Sequence, residues 1–204
     1  MKNIISLGIG CGVAIYLEKL KIRQEAYPFD YIWCQNLKNL NHIISDDFKI
    51  FLDKSYYIKI NQDDPNRIHH KYYNNLKDNF NALFAHHNIF DEKVYKSFER
   101  RIERFHGLKS KNNIFVTFII DYGSNSNNII NEYYNTVSIM KNKGFNSSQF
   151  ILVIISKGEK SCLKLLEENN IHKIYDFKYK NTYGCGLFEG EDDEIILDFL
   201  KKLL

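Results

Sequence analysis

The feature that most constrains this chain is a pair of short, wholly apolar runs, Phe115 to Ile120 and Phe150 to Ile155, each followed by residues at helical spacing. Runs of this length are far short of the roughly 20 residues that cross a bilayer. They have the length and the β-branched and aromatic content of strands buried on both faces. The same rhythm occurs at the N-terminus, where Asn3 to Leu7 reads as a strand, Gly8 and Gly10 as a turn, and about 11–20 as a helix. Tyr27-Pro28-Phe29-Asp30 then breaks the pattern, because proline disfavours helix at the residue before it. Residues 37–52 resume at helical spacing, 56–60 read as a strand, and 61–66 as a loop. A helix over about 91–108 has Asp91 as its cap. Farther on, the spacing predicts a strand over 114–120, a helix over 128–143 ended by Gly144, a strand over 150–155, a helix over about 160–169, a strand over 171–177 and a terminal helix over 192–204. Strands separated by helices require right-handed crossovers. The expectation is one α/β domain over 1–204, with a mostly parallel sheet and helices on both faces in a Rossmann-like three-layer arrangement.

Composition removes several function classes. The chain has 204 residues, 44% of them hydrophobic, enough for a substantial core without disulfides or structural metal. Its 28 basic and 25 acidic side chains give a net charge of +3, too balanced for a protein whose main task is to grip nucleic acid. Cys11, Cys34, Cys162 and Cys185 include no C-x-x-C pair and lack zinc-ligand spacing with histidine, so they read as thiols in a reducing compartment. Glycines interrupt the N-terminus before a signal-like apolar segment develops, which points to the cytoplasm and makes the sequon at Asn146 incidental. No metal, cofactor or membrane partner is expected; the oligomeric state is left open.

In an open parallel sheet, ligands bind outside the carboxyl ends of the strands. The first such end leads into Gly8-Ile9-Gly10-Cys11-Gly12, which brings Cys11 to the start of a helix. There the macrodipole and unpaired N–H groups lower a thiol's pKa and can hold an oxyanion. The competing reading is a small cysteine packed between helix and sheet. A nucleotide loop is poorly matched, since Val13 stands where the third glycine of G-x-G-x-x-G belongs. A nucleophilic cysteine needs a base. His86 and His87, after Ala82-Leu83-Phe84, are the pair placed to offer one ring to a cleft, with two solvated loop residues as the alternative. His69 and His70 lie in a polar stretch and read as surface. Asp121 and Ser156, each following a strand, fall at the same sheet edge as Cys11, and Cys185 in a glycine turn is the second candidate nucleophile.

Four motifs in order then resemble a known family. Ser6-Leu7-Gly8-x-x-Cys11, Pro28-Phe29-Asp30-Tyr31, Phe84-x-His86 and Arg100-Arg101-Ile102-Glu103-Arg104-Phe105 are similar to the successive signatures of a domain of unknown function described as a putative papain-like cysteine peptidase, found in bacteria and large DNA viruses. An AT-rich viral genome suits the excess of lysine over arginine, and host cytoplasm would then be the location. The resemblance spans about 3–108, with the stretch from about 109 a generic α/β continuation. It implies Cys11 as nucleophile and His86 as base, with a papain-like architecture as the alternative fold. Tyr31 departs from the family's more usual tryptophan, and His87 beside His86 leaves two candidate bases.

Asp30 either orients the histidine as a third catalytic group or caps the turn after the proline. Arg100 and Arg104 share a helix face and either bind a substrate anion or lock the fold through Asp30 and Glu103. Gly10, Gly12, His87, Arg100, Arg104 and Asp121 are therefore the candidate substrate-binding residues. The expected activity is hydrolysis of a peptide, isopeptide or other acyl linkage. The alternatives are a non-catalytic domain for an anionic small molecule such as a sugar phosphate or nucleotide, and a host-interaction protein.

Overall fold

A computed structural model describes residues 3–60, 64–76, 81–123, 126–184 and 186–204. Along the chain run β1 (Asn3–Ser6), α1 (Gly12–Lys19), α2 (Leu37–Ser45), α3 (Lys49–Leu52), β2 (Tyr57–Ile58), β3 (His69–His70), α4 (Glu92–His106) and β4 (Asn113–Ile120). There follow α5 (Ser126–Asn142), β5 (Gln149–Lys157), β6 (Cys162–Glu168), β7 (His172–Tyr179), β8 (Tyr183–Gly184), β9 (Leu187–Phe188) and α6 (Glu191–Lys201). The main sheet has the order β1-β4-β5-β7-β6, parallel throughout except for β6, which pairs antiparallel with β7. This is the mostly parallel α/β sheet that the apolar runs predict.

The period-2 geometry of a strand divides the apolar side chains between two cores. Phe115, Phe150, Leu152 and Ile154 face one side, under α2, α4 and α5, where they join Phe29, Phe48 and Phe105. Ile114, Val116, Ile151, Val153 and Ile155 face the other, under α1 and α6, with Tyr16, Leu17, Phe199 and Leu200. Asp91 caps α4 by accepting from the Lys93 N–H at 2.7 Å, and Gly144 ends the α5 turn at a φ of +99°. Residues 37–52 form two helices rather than one. Asp47 and Phe48 at positive φ break the run, and the Phe48 ring is thereby driven into the core against Phe29, Phe51 and Phe105.

Two expectations are corrected. Residues 160–169, predicted helical, contain β6: leucine, lysine and glutamate are good helix formers, but intrinsic preference is worth only tenths of a kcal/mol per residue, and the ladder offered by β7 outweighs it. His69 and His70, predicted to lie at the surface, are fully buried. They form β3 against β2, and the His70 ring lies among Tyr56, Tyr57 and Tyr73. His70 Nε2 bonds the Ile50 carbonyl at 2.9 Å and Nδ1 accepts from the Tyr72 N–H, so the imidazole is buried in its neutral form.

Burial pushes the pKa of His70 down to about 4, and that of His87 down to about 4 as well. An unfolded histidine titrates near 6.5, so between that pH and about 4 the unfolded chain binds protons that the folded chain refuses. Stability is therefore complete above about pH 6.5 and falls as the pH drops. At pH 5 the loss should reach about 2 kcal/mol for His70 and less for His87, which keeps some solvent contact. Denaturant unfolding at pH 7 and pH 5 measures it, and His70→Gln should shrink the difference by about the His70 share.

Candidate active site

The site begins where the β1 ladder ends. Ser6 pairs with Val116, the Leu7 N–H donates to the Val116 carbonyl at 2.8 Å, and the Thr117 hydroxyl donates to the Leu7 carbonyl at 2.7 Å. β4 continues to Ile120, but the first strand has by then turned away. At Gly8 a Cβ would lie 2.6 Å from the Gly10 carbonyl oxygen, so only glycine permits that turn. Cys11 follows as the N-cap of α1, its carbonyl accepting from the Ile15 N–H at 3.0 Å while its sulfur makes no capping bond to the helix. The first N–H groups of α1 lack intrahelical partners. Over the thiol passes the turn between β8 and β9: a Cβ on Gly186, at φ +84°, would sit 2.9 Å from the Cys11 sulfur and 3.0 Å from the Gly12 nitrogen. Cys185, the second candidate nucleophile, lies outside the described residues. Cys34 is fully buried and its thiol is pushed far up by desolvation, which removes it as a nucleophile. Cys162 is exposed on the edge strand.

One segment ties the histidine turn to the cysteine loop. The Trp33 N–H donates to the Leu83 carbonyl and the Cys34 N–H to the Ile9 carbonyl, both at 2.9 Å. Tyr31 completes the connection. Its hydroxyl bonds Glu18, its ring lies under the Arg23 guanidinium at 5.3 Å, and the His86 ring stands perpendicular to it with the ring centres 6.2 Å apart. Cys11, Ile15 and Glu18 share one face of α1 by their spacing. His86 is thus linked to α1 through Tyr31, which bonds Glu18. The two adjacent histidines part company here: His86 is exposed, whereas His87 turns inward to the Phe98 ring, its Nε2 buried without a hydrogen-bond partner and the cationic Arg101 nearby.

Asp30 is 2% exposed and accepts from the Tyr27 N–H at 2.9 Å and from Arg23 Nε and Nη2 at 3.2 and 3.1 Å. Burial raises its pKa, opposed by those bonds and by the Arg23 charge. Its hydrogen-bond partners are the turn and the arginine. Arg104 reaches the Ala26 carbonyl at 3.3 Å and Glu25 at 3.5 Å, Arg101 lies over the Phe98 ring, and Arg100 is exposed on α4. Asp121 accepts from the Gly123 N–H and the Ser126 hydroxyl at the start of α5, and Ser156 accepts from Lys178.

Beside the thiol loop, where β4 outruns β1, lies a cavity of about 530 Å³. Gly10 and Gly12 line it, as do Trp33, Phe118, Ile120, Ile129 and Tyr183, while His87, Arg100, Arg104 and Asp121 do not. Trp33, Phe118 and Tyr183 were not among the sequence candidates. The available signal was weak: Trp33 is the chain's single tryptophan, two residues past the Pro-Phe-Asp-Tyr motif. Among the described residues no group of three His, Cys, Asp or Glu could hold a metal, and no helix is long and apolar enough to cross a membrane.

Residues 2–159 match the sequence profile of the domain family of unknown function described as "Putative papain-like cysteine peptidase". A protein of Acanthamoeba polyphaga mimivirus, named uncharacterized protein R408, is 29% identical over 196 residues, with 85% of each chain covered. No solved structure matches the chain.

Two substitutions test the geometry. Gly186→Ala places a methyl against the sulfur at a φ that side chains resist, and should cost about 1 kcal/mol or more and slow alkylation of Cys11. Arg23→Ala leaves the Asp30 carboxylate buried without its cation and should cost about 3 kcal/mol in denaturant unfolding, partly recovered by Arg23→Lys.

Proposed function

The chain belongs to the family described as putative papain-like cysteine peptidases, and on that premise we propose that it is a thiol-dependent hydrolase with Cys11 as nucleophile and His86 as base. The observation that carries this reading is the position of Cys11: a half-buried thiol at the N-terminus of α1, with a cavity lined by the glycines on either side of it. A helix N-terminus favours the thiolate and offers N–H donors to developing negative charge. Of the adjacent histidines, His86 is the one exposed on the side of Tyr31, and His87 is spent on packing.

In the proposed reaction His86 takes the thiol proton and the sulfur adds to the substrate carbonyl. The resulting oxyanion is held by the N–H groups that open α1. The tetrahedral adduct collapses with the leaving group taking the proton back from the imidazolium, and water, deprotonated by His86, then hydrolyses the thioester. Asp30 acts here as a positioning residue. It holds Arg23, Arg23 lies over Tyr31, and Tyr31 meets the His86 ring.

Iodoacetamide alkylation followed by intact mass tests the assignment. One thiol should react at neutral pH well ahead of the exposed Cys162, with a rate midpoint well below 8.5. Cys11→Ala should abolish that labelling. His86→Ala should move the midpoint upward and lower the rate at pH 7 about tenfold, and His87→Ala should leave the midpoint in place. Equal labelling of Cys11→Ala, or a wild-type midpoint near 8.5 combined with thermal stabilisation by phosphate or a nucleotide, would instead favour the non-catalytic binding domain.

A further inference from the structure

We propose that the cavity beyond the end of β1 is a subsite for a large apolar side chain, aromatic by preference, next to the bond that Cys11 attacks. The proposal rests on Cys11 being the nucleophile and adds the class of substrate. The cavity is built into the sheet. β1 pairs with β4 only from Asn3 to Ser6, so Phe118, Ile119 and Ile120 continue with no neighbouring strand on that side. The opening exists before any ligand arrives, and its volume of about 530 Å³ falls in the range of roughly 300–1,000 Å³ typical of small-molecule sites.

The walls select against charge. Ile9, Trp33, Phe118, Ile120, Ile129 and Tyr183 give them an apolar and aromatic character. The lining carries one cation, Lys38, and one anion, Glu132, beside the neutral Gln35, Asn36 and Asn128, so neither an acidic nor a basic side chain finds a net countercharge. Tyr122 supplies a separate indication. It lines the cavity yet is 81% exposed, the most exposed of the chain's large apolar and aromatic side chains among the described residues. Nothing in folding rewards an aromatic ring held in water, whereas a ligand ring laid against it would cover both. Gly10 permits the approach of Trp33: a Cβ there would fall 3.0 Å from the indole, so the same glycine that precedes the thiol seats the aromatic wall.

The single tryptophan makes occupancy visible without catalysis. N-acetyl-phenylalaninamide titrated into the full chain should change Trp33 emission saturably, in wild type and Cys11→Ala alike, and N-acetyl-glycinamide should not. Alkylation by N-acetyl-phenylalanyl chloromethyl ketone, in which sulfur displaces chloride, should exceed that by the glycyl analogue by about tenfold or more after division by each probe's rate with free cysteine. Ile129→Phe, which fills the cavity, should collapse that ratio, and Tyr122→Ala, at a position too exposed to disturb folding, should lower it. A ratio near one with a reactive Cys11 and no saturable Trp33 response overturns the subsite. An inert thiol with a saturable Trp33 response overturns the hydrolase and keeps the cavity as an aromatic-binding site.

Discussion

The parallel ladder between β1 and β4 stops after four residue pairs, and the site depends on that early stop. Had β1 matched the eight residues of β4, the glycine loop would be strand, and the space now open beside Phe118 and Ile120 would be filled by backbone. Instead the first strand feeds α1 on one face while β4 feeds α5 on the other. A crevice opens where neighbouring connections leave in opposite directions, which is the general place for ligands in an open α/β sheet. The thiol and the cavity are two consequences of one mismatch in strand length.

The Pro28-Phe29-Asp30-Tyr31 motif connects this edge to the interior. Phe29 is buried against Phe48 and Phe105, Asp30 is held by Arg23 and the Tyr27 N–H, and Tyr31 turns outward to Glu18 and His86. Three successive residues serve as an apolar anchor, an ionic lock and a surface contact. Arg23 and Tyr31 thus stand between Asp30 and the histidine. A buried ion pair of this kind is weak as a source of stability and more useful for holding one geometry.

The cover over the thiol comes from beyond the stretch shared with the family. The profile match ends at residue 159, yet Gly186 approaches Cys11 and Tyr183 lines the cavity. Two carboxylates and a phenol hold that hairpin. Asp192 accepts from the Lys180 and Asn181 N–H groups, and the Tyr16 hydroxyl donates to Asp193 while accepting from the Phe188 N–H. Tyr16 is on α1, so the helix that carries Cys11 at its start also anchors the segment above it. The stretch matched by the family profile and the segment that follows it meet at one sulfur atom.

Strand and helix order was largely legible from the chain, because a run such as Phe150 to Ile155 has few ways to satisfy its backbone while hiding six apolar side chains. The placement of Cys11 at a helix start was legible too, since glycines at 8, 10 and 12 announce a tight reversal after a strand. What the local signal missed was decided by partners outside the segment itself. The segment around Leu165 became a strand because β7 had an open edge, and His69 and His70 went inside because β2 and a group of tyrosines were there to receive them. The two neighbouring histidines were indistinguishable by composition and were separated by Tyr31 and Phe98, which lie far from them in the chain. The sequence by itself determined the alternation of elements and the chemistry available at the first turn, since both follow from local periodicity. Only the tertiary structure decided which imidazole, which aromatic rings and which glycine surround the thiol, because those contacts depend on strand lengths and pairings that no single segment encodes.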